Sequence, residues 1–420
     1  MEFKEWSDSI SDGNPLKVIY FWTEWCEECE AQARELSKVE NWPGFSYVSV
    51  NADERPDLAV RYSPQIYPSL SIVTENSVVG GTYGFVSQEQ VRETLLLALN
   101  LLLGGGKLVV PKSTKREGVD STPTSPKVLV ERIKRNCLSF FDIYYGGFEK
   151  EPKYYLPNVL RFLMRIKGDP YPIEVVRYTL DAVIYNLWDD GFYSHSRTYD
   201  WKERSRTKLT DQNAEMILTL LDAYGTTNDS YYLDYAVETG RWLMGTRVGE
   251  FYPVAMVDGR ARGPPLMTVN SLVGEALLQL HSFTGDPKFL NESLRLASLL
   301  KRRLSHDLRN EGPLFLLDLA YLLRFLSALN QGRELVNLAL SQYFGGDAFY
   351  DVTLEHAKVN GIGRFKLITD NSILGQGLVR LGMRELANGV VDYFSRRYWN
   401  FAYFNQADLG LLVEMLHGDA

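Results

Sequence analysis

From Lys127 onward one phrase recurs six times, and it constrains the fold more than any other feature. It appears as "LPNVL" at 156, "LTDQNAEMI" at 209, "MTVNSLVGEAL" at 267, "LLDLAYLL" at 316, "ITDNSILGQGL" at 368 and "NQADLGLLVEML" at 405. Within it, Asn158, Asn213, Asn270, Asp318, Asn371 and Asp408 follow one another at spacings of 55, 57, 48, 53 and 37. A repeat of about fifty residues is one supersecondary unit that cannot bury its apolar face alone, so its copies must stack. Each phrase opens a helical pattern and each has a helical partner, with twelve starts near 127, 156, 172, 209, 229, 267, 286, 313, 332, 368, 383 and 406. Six pairs predict an all-α (α/α)6 toroid over residues 127–420, with an open solenoid as the alternative. The phrase-bearing helices, rich in Leu, Ala and small residues, form the inner ring. Amphipathic partners such as "KFLNESLRLASLLKRRL" form the outer ring, and the helix at 127 pairs with the last helix to close it.

The connections are asymmetric. Inner-to-outer links are tight ("YGTTNDS", "FTGDPKF", "LGMRE"), whereas outer-to-inner links are long and carry aromatic and charged residues ("YYGGFEKEPKYY", "WDDGFYSHSRTYDWKERSRTK", "GEFYPVAMVDGRARGPP", "YFGGDAFYDVTLEHAKVNGIGRFK"). Long loops of that composition carry function, and all of them feed the N-terminal ends of the inner helices. Candidate ligand-binding residues at that mouth are Lys153, Tyr154, Tyr193, His195, Asn213, Asn270, His356 and Asn371. Asp189, Asp190, Trp201, Asp211, Asp351, Arg364 and Asp370 stand beside them. Thr210, Asp211, Thr369 and Asp370 also occupy positions suited to helix N-caps. Asn213, Asn270 and Asn371 lie about a turn inside, where Asn is a poor helix former; they are either ligand contacts or struts between helices. His195 and His356 form a histidine pair worth testing against ordinary surface positions, and Lys153 is a candidate anchor as much as a catalytic group.

Residues 1–103 follow a different pattern. Val18 to Trp22 is an apolar, β-branched and aromatic run that leads into Trp25-Cys26-Glu27-Glu28-Cys29 and a helical stretch from Glu30 to Val39. Tyr47 to Asn51 reads as a second strand, Leu70 to Thr74 and Ser77 to Thr82 as a hairpin, and Gln88 to Leu103 as a closing helix. A cysteine at a helix N-terminus meets the positive end of the helix dipole, which favours its thiolate. Cys26 is then the attacking nucleophile and Cys29, one turn on, the resolving thiol. A zinc site would need four ligands, and no second C-x-x-C is present. Two inert thiols remain the alternative. Residues 104–126, "GGGKLVVPKSTKREGVDSTPTSP", have the composition of a flexible tether between the two domains.

"VIYFWTEWCEEC", the "YPS" at 67–69 and Gly84 before the last helix resemble the thioredoxins over residues 1–103. The resemblance implies an α/β thioredoxin-like domain in which Pro68 is cis and faces the cysteine pair, a third catalytic position. Two departures stand out. Glu27-Glu28 replaces the family's Gly-Pro and opposes the Cys26 thiolate. Tyr20 replaces a buried Asp that assists proton transfer, which implies slow turnover. Farther on, "GGFEKEPKYYLPN" at 146–158 and "DDGFYSHSRTYDW" followed by "KLTDQNA" resemble segments of the spermatogenesis-associated thioredoxin-like family. That family joins a thioredoxin-like domain to a six-hairpin glycosidase-like domain. This chain is shorter, and its cysteine motif is closer to that of thioredoxin. Toroids of this kind bind sugars where the inner helices begin, which implies a sugar or sugar-acid ligand.

Net charge is −8 with a pI near 5.4, which argues against a nucleic-acid partner. The longest apolar stretch, Leu95 to Leu103, is too short to span a membrane, and residues 1–15 do not read as a signal peptide. Three cysteines suit a reducing, cytoplasmic setting, with Cys137 a core residue. No cofactor and no metal are expected. The functional expectation is a thiol–disulfide oxidoreductase, acting with a disulfide-bearing protein or a thiol reductant, fused to a sugar-binding or sugar-modifying toroid. The alternatives are a non-catalytic interaction protein with a residual thioredoxin fold, and a glycoside hydrolase or epimerase whose thioredoxin part is structural.

Overall fold

The computed structural model describes residues 1–6, 14–63, 66–74, 77–103, 124–149, 151–309 and 314–418. They fall into an N-terminal and a C-terminal compact unit. Most of the expected tether, residues 104–123, lies outside the described residues.

In the N-terminal unit the elements run β1 (Lys4–Glu5), β2 (Leu16–Trp22), α1 (Cys29–Ser37), β3 (Phe45–Asn51), α2 (Pro56–Tyr62), β4 (Ser69–Val73), β5 (Val78–Tyr83) and α3 (Gln88–Leu103). The sheet order is β1-β3-β2-β4-β5. Central β2 runs parallel to β3, with Leu16 opposite Phe45 and Trp22 opposite Asn51, and antiparallel to β4. Val18 and Tyr20 pack with Leu36, Leu70, Val91 and Leu95, while Ile19 and Phe21 are buried as well. Alternate side chains of a strand point to opposite faces, and both faces here are covered. That is why the run reads as continuously apolar rather than alternating.

The C-terminal unit contains α4 (Pro126–Ser139), α5 (Pro157–Met164), α6 (Tyr171–Leu187), α7 (Thr210–Thr227), α8 (Ser230–Gly245), α9 (Met267–Thr284), α10 (Pro287–Arg309), α11 (Leu316–Ala328), α12 (Arg333–Gln342), the short α13 (Leu354–Asn360), α14 (Ile368–Arg380), α15 (Arg384–Ser395) and α16 (Tyr403–His417). The phrase-bearing helices α5, α7, α9, α11, α14 and α16 each pack on the next, and α16 returns to α5, closing the ring. The partners α6, α8, α10, α12 and α15 lie against their own inner helix, and α4 packs on α16. The ring is closed, so the open solenoid is excluded. Glycines in the inner helices let neighbours approach: a Cβ on Gly410 would come within 2.4 Å of the Phe162 ring, and one on Gly274 equally close to Phe325.

Candidate functional site

Cys26 and Cys29 form a disulfide. The helix begins at Cys29 rather than at Cys26. Cys26 occupies the turn before it, its N–H donating to the Thr23 carbonyl and its own carbonyl accepting from the Cys29 N–H. Cys29 is buried, 4% exposed, whereas Cys26 is partly exposed. That difference suits an attacking first sulfur and a protected second one. Tyr67–Pro68 is a cis peptide. The Trp25 indole donates to Asp53 at 3.0 Å and meets the Tyr67 ring edge-on at 6.1 Å. Beneath the pair, the Tyr20 hydroxyl donates to the Cys29 carbonyl at 2.7 Å. Burial pushes that phenol well above its ordinary range, so it stays neutral and supplies no base. Cys137, the third cysteine, is buried on α4, and burial pushes its thiol up to about 12; it takes no part in thiolate chemistry.

In the toroid several sequence candidates turn out to hold the loops. Asn213 donates to the carbonyls of Leu209 (2.8 Å) and Phe192 (2.9 Å) and accepts from the Phe192 N–H (2.7 Å). Asn270 does the same with Leu266 and Tyr252, and Asn371 with Leu367 and Phe349. Each side chain clamps one aromatic residue of the preceding loop onto the first turn of an inner helix. All three are fully buried with both ends of the amide engaged. Of the two readings open to these asparagines, ligand contact or strut, this is the geometry of the strut. Lys153 is likewise fully buried. Its ammonium donates to Asp142 at 2.5 Å and to the Tyr199 carbonyl at 2.9 Å, and stands 5.1 Å from the Trp201 ring centroid. These contacts are those of an anchor for its loop, one of the two roles open to it.

The remaining candidates are more open. Tyr154, 37% exposed, lies 5.0 Å from the His195 ring, and His195 Nδ1 is 2.9 Å from the Ser194 hydroxyl. Tyr193 is partly exposed and carries Arg204 and Lys208 over its ring at 4.4 and 4.6 Å. His356 packs edge-on to Phe315 at 5.6 Å. The two histidines thus have different aromatic neighbours.

A group of carboxyls carries more chemistry than these. Asp211, Asp318 and Asp370 sit in the first turns of α7, α11 and α14, and Asp408 in the second turn of α16. Burial raises all four. Asp211, further raised by Glu215, and Asp318, by Asp307, reach about 6. Asp408, also raised by Glu215, reaches about 7, and Asp370, raised by Asp351, Asp318 and Asp408, reaches about 8. The cap reading of Asp211 and Asp370 is corrected: the N-cap positions are Leu209 and Leu367. The recurring Asp318 and Asp408 were visible in the phrase, but their shared environment was not.

Deeper in the ring, charges pair. Arg324, 2% exposed, donates to Glu275 at 2.7 Å and to Glu215 at 2.9 Å. Arg380 joins Glu275 at 2.7 Å, and Arg161 joins Asp222 at 2.9 Å and Glu215 at 3.2 Å. Burial works against the Glu275 carboxylate, but Arg324 and Arg380 hold it down at about 2. The network ties together α5, α7, α9, α11 and α14. One cavity of about 250 Å³ lies beyond it, lined by Arg161, Arg165, Arg380 and Glu414 toward the C-terminal ends of α5, α14 and α16. That is the tight-turn end, opposite the loop-bearing mouth.

The architecture is a thioredoxin-fold disulfide domain followed by an (α/α)6 toroid. The thioredoxin family model matches residues 1–96, and thioredoxin 1 of Chlorobaculum tepidum is 30% identical over 83 residues, 19% of this chain and 82% of that protein. Through its N-terminal domain the chain belongs to the thioredoxin family. Spermatogenesis-associated protein 20 of Homo sapiens is 22% identical over 284 residues, 58% of this chain. The match spans only 36% of that relative's own length. A crystal structure of D-mannose isomerase is similar to this chain in fold, with a TM-score of 0.50 at 12% identity, covering 70% of this chain and 99% of that one. Among the described residues, no helix is long and apolar enough to cross a membrane.

Proposed function

We propose that this protein is a thiol–disulfide oxidoreductase in which Cys26 attacks and Cys29 resolves. The observation that carries the reading is the asymmetry of the pair: a partly exposed Cys26 ahead of a helix N-terminus and a buried Cys29 within its first turn. The accessible sulfur engages a partner disulfide, and the buried one is shielded until the mixed disulfide forms. Full-length protein should catalyse reduction of 2-hydroxyethyl disulfide by a dithiol, and Cys26→Ser should remove that catalysis. Equal rates for the two proteins would contradict it. Three cysteines, one of them a buried free thiol, suit a reducing compartment such as the cytoplasm.

For the toroid we propose a hydroxyl-rich ligand, a sugar or sugar acid, at the loop-bearing end of the inner ring. Carboxyls that keep protons near neutral pH are suited to general acid–base work, and Asp211, Asp318, Asp370 and Asp408 are such groups. Tyr154, Tyr193, His195 and His356 are the accessible side chains that would contact the ligand. A panel of monosaccharides and uronic acids should contain at least one that raises the thermal midpoint of the wild type and raises that of Asp370→Asn less. Absence of any shift across the panel would contradict this reading.

A further inference from the structure

We propose that the Cys26–Cys29 site selects cationic partners, specifically polypeptide cystines flanked by Lys or Arg; this rests on the oxidoreductase reading above. Thr23 to Glu30 contains Glu24, Glu27, Glu28 and Glu30, and no Lys or Arg. Glu28 and Glu30 are exposed on either side of Cys29. Asp53 is drawn to the same place by its bond to the Trp25 indole. Arg34 offsets Glu30 at 2.8 Å and Arg55 offsets Asp57 at 2.9 Å, and carboxylates still outnumber cations among these residues. The sulfurs therefore sit in a negative local field.

The same rim is partly apolar. Trp25 packs on Tyr67 of the loop that bears Pro68, the Gly84 N–H donates to the Pro68 carbonyl at 2.8 Å, and Ile66 and Phe85 are 41% and 49% exposed. An apolar rim set in negative charge fits a peptide that brings one apolar and one basic side chain beside its cystine. A field of one sign raises the local concentration of oppositely charged partners, and salt screens it. It also penalises anionic disulfides.

The reaction is balanced within the two cysteines. The Cys26 thiolate attacks one sulfur of the substrate, the substrate S–S bond breaks, and one thiolate leaves and takes a proton from water. The Cys29 thiolate then attacks Cys26 Sγ, releasing the second substrate thiolate and closing the Cys26–Cys29 disulfide. Two electrons pass from the cysteine pair to the substrate.

The test uses pre-reduced full-length protein in single turnover with three cystine-linked peptide dimers that differ only in lysine, glutamine or glutamate on either side of the cysteine. Each rate is normalised to that of free dithiothreitol with the same peptide, which removes leaving-group effects. The expected order is lysine, then glutamine, then glutamate, with about a tenfold span at low ionic strength. High salt should narrow the span, and so should Glu28→Lys. Equal normalised rates, or a span that salt leaves unchanged, would overturn the proposal while leaving the oxidoreductase reading intact. No reaction with any of the three peptides would overturn both.

Discussion

Asn371 illustrates how one residue type can carry two opposite readings in a sequence. An asparagine one turn into a helix is costly for the helix, and that cost points either to a ligand or to a partner inside the fold. The side chain is fully buried and closes two bonds with the backbone of Phe349 and one with the Leu367 carbonyl. Its counterparts Asn213 and Asn270 hold Phe192 and Tyr252 in the same way. The pairing was not legible, because a loop of some twenty residues hides which backbone group a side chain will meet. Asn371→Ala would strand a buried N–H and a buried C=O, so it should lower unfolding free energy by about 2–4 kcal/mol. Chemical denaturation measures this, and a change within about 0.5 kcal/mol would contradict the strut. Tyr20 was legible only through the resemblance to thioredoxins, and its bond to the Cys29 carbonyl was not.

At the scale of elements, twelve helix starts and the alternation of inner and outer helices were legible, because each inner helix repeats a small-residue, Leu-rich phrase, at intervals of 48 to 57 residues for all but the last. The environment shared by side chains on different inner helices was not. Asp211, Asp318, Asp370 and Asp408 come from four segments far apart in sequence, and their raised affinity for protons arises only when the ring assembles. This has a consequence for stability. The folded state holds Asp370 protonated up to about 8, whereas its ordinary value is 3.8. Its contribution is therefore fully present below about pH 3.8 and is lost as pH rises toward 8. Asp370→Asn keeps the group neutral throughout. Its stability advantage over the wild type should grow between pH 5 and pH 8, read as the gap between denaturation midpoints; parallel curves would contradict the assignment. Glu275 has the opposite sign. Held at about 2 against an ordinary 4.5, it stabilises above pH 4.5 and loses that contribution as pH falls toward 2.

At the scale of the whole molecule, the described residues form two hydrophobic cores, one drawn from residues 1–98 and one from residues 129–416. The order of the two folds was legible because their hydrophobic periods differ, with strand runs before residue 103 and helical repeats after 127. The cysteine chemistry is the central claim, and trapping its intermediate tests it most directly. Incubated with a cystine-bearing peptide, Cys29→Ser should accumulate a stable mixed disulfide through Cys26, seen by intact mass and released by dithiothreitol. Cys137, buried and with its thiol raised to about 12, should stay unmodified. Cys26→Ser should accumulate none. Adduct formation in Cys26→Ser at the rate seen in Cys29→Ser, or no adduct in either, would contradict the assignment of Cys26 as the attacking sulfur.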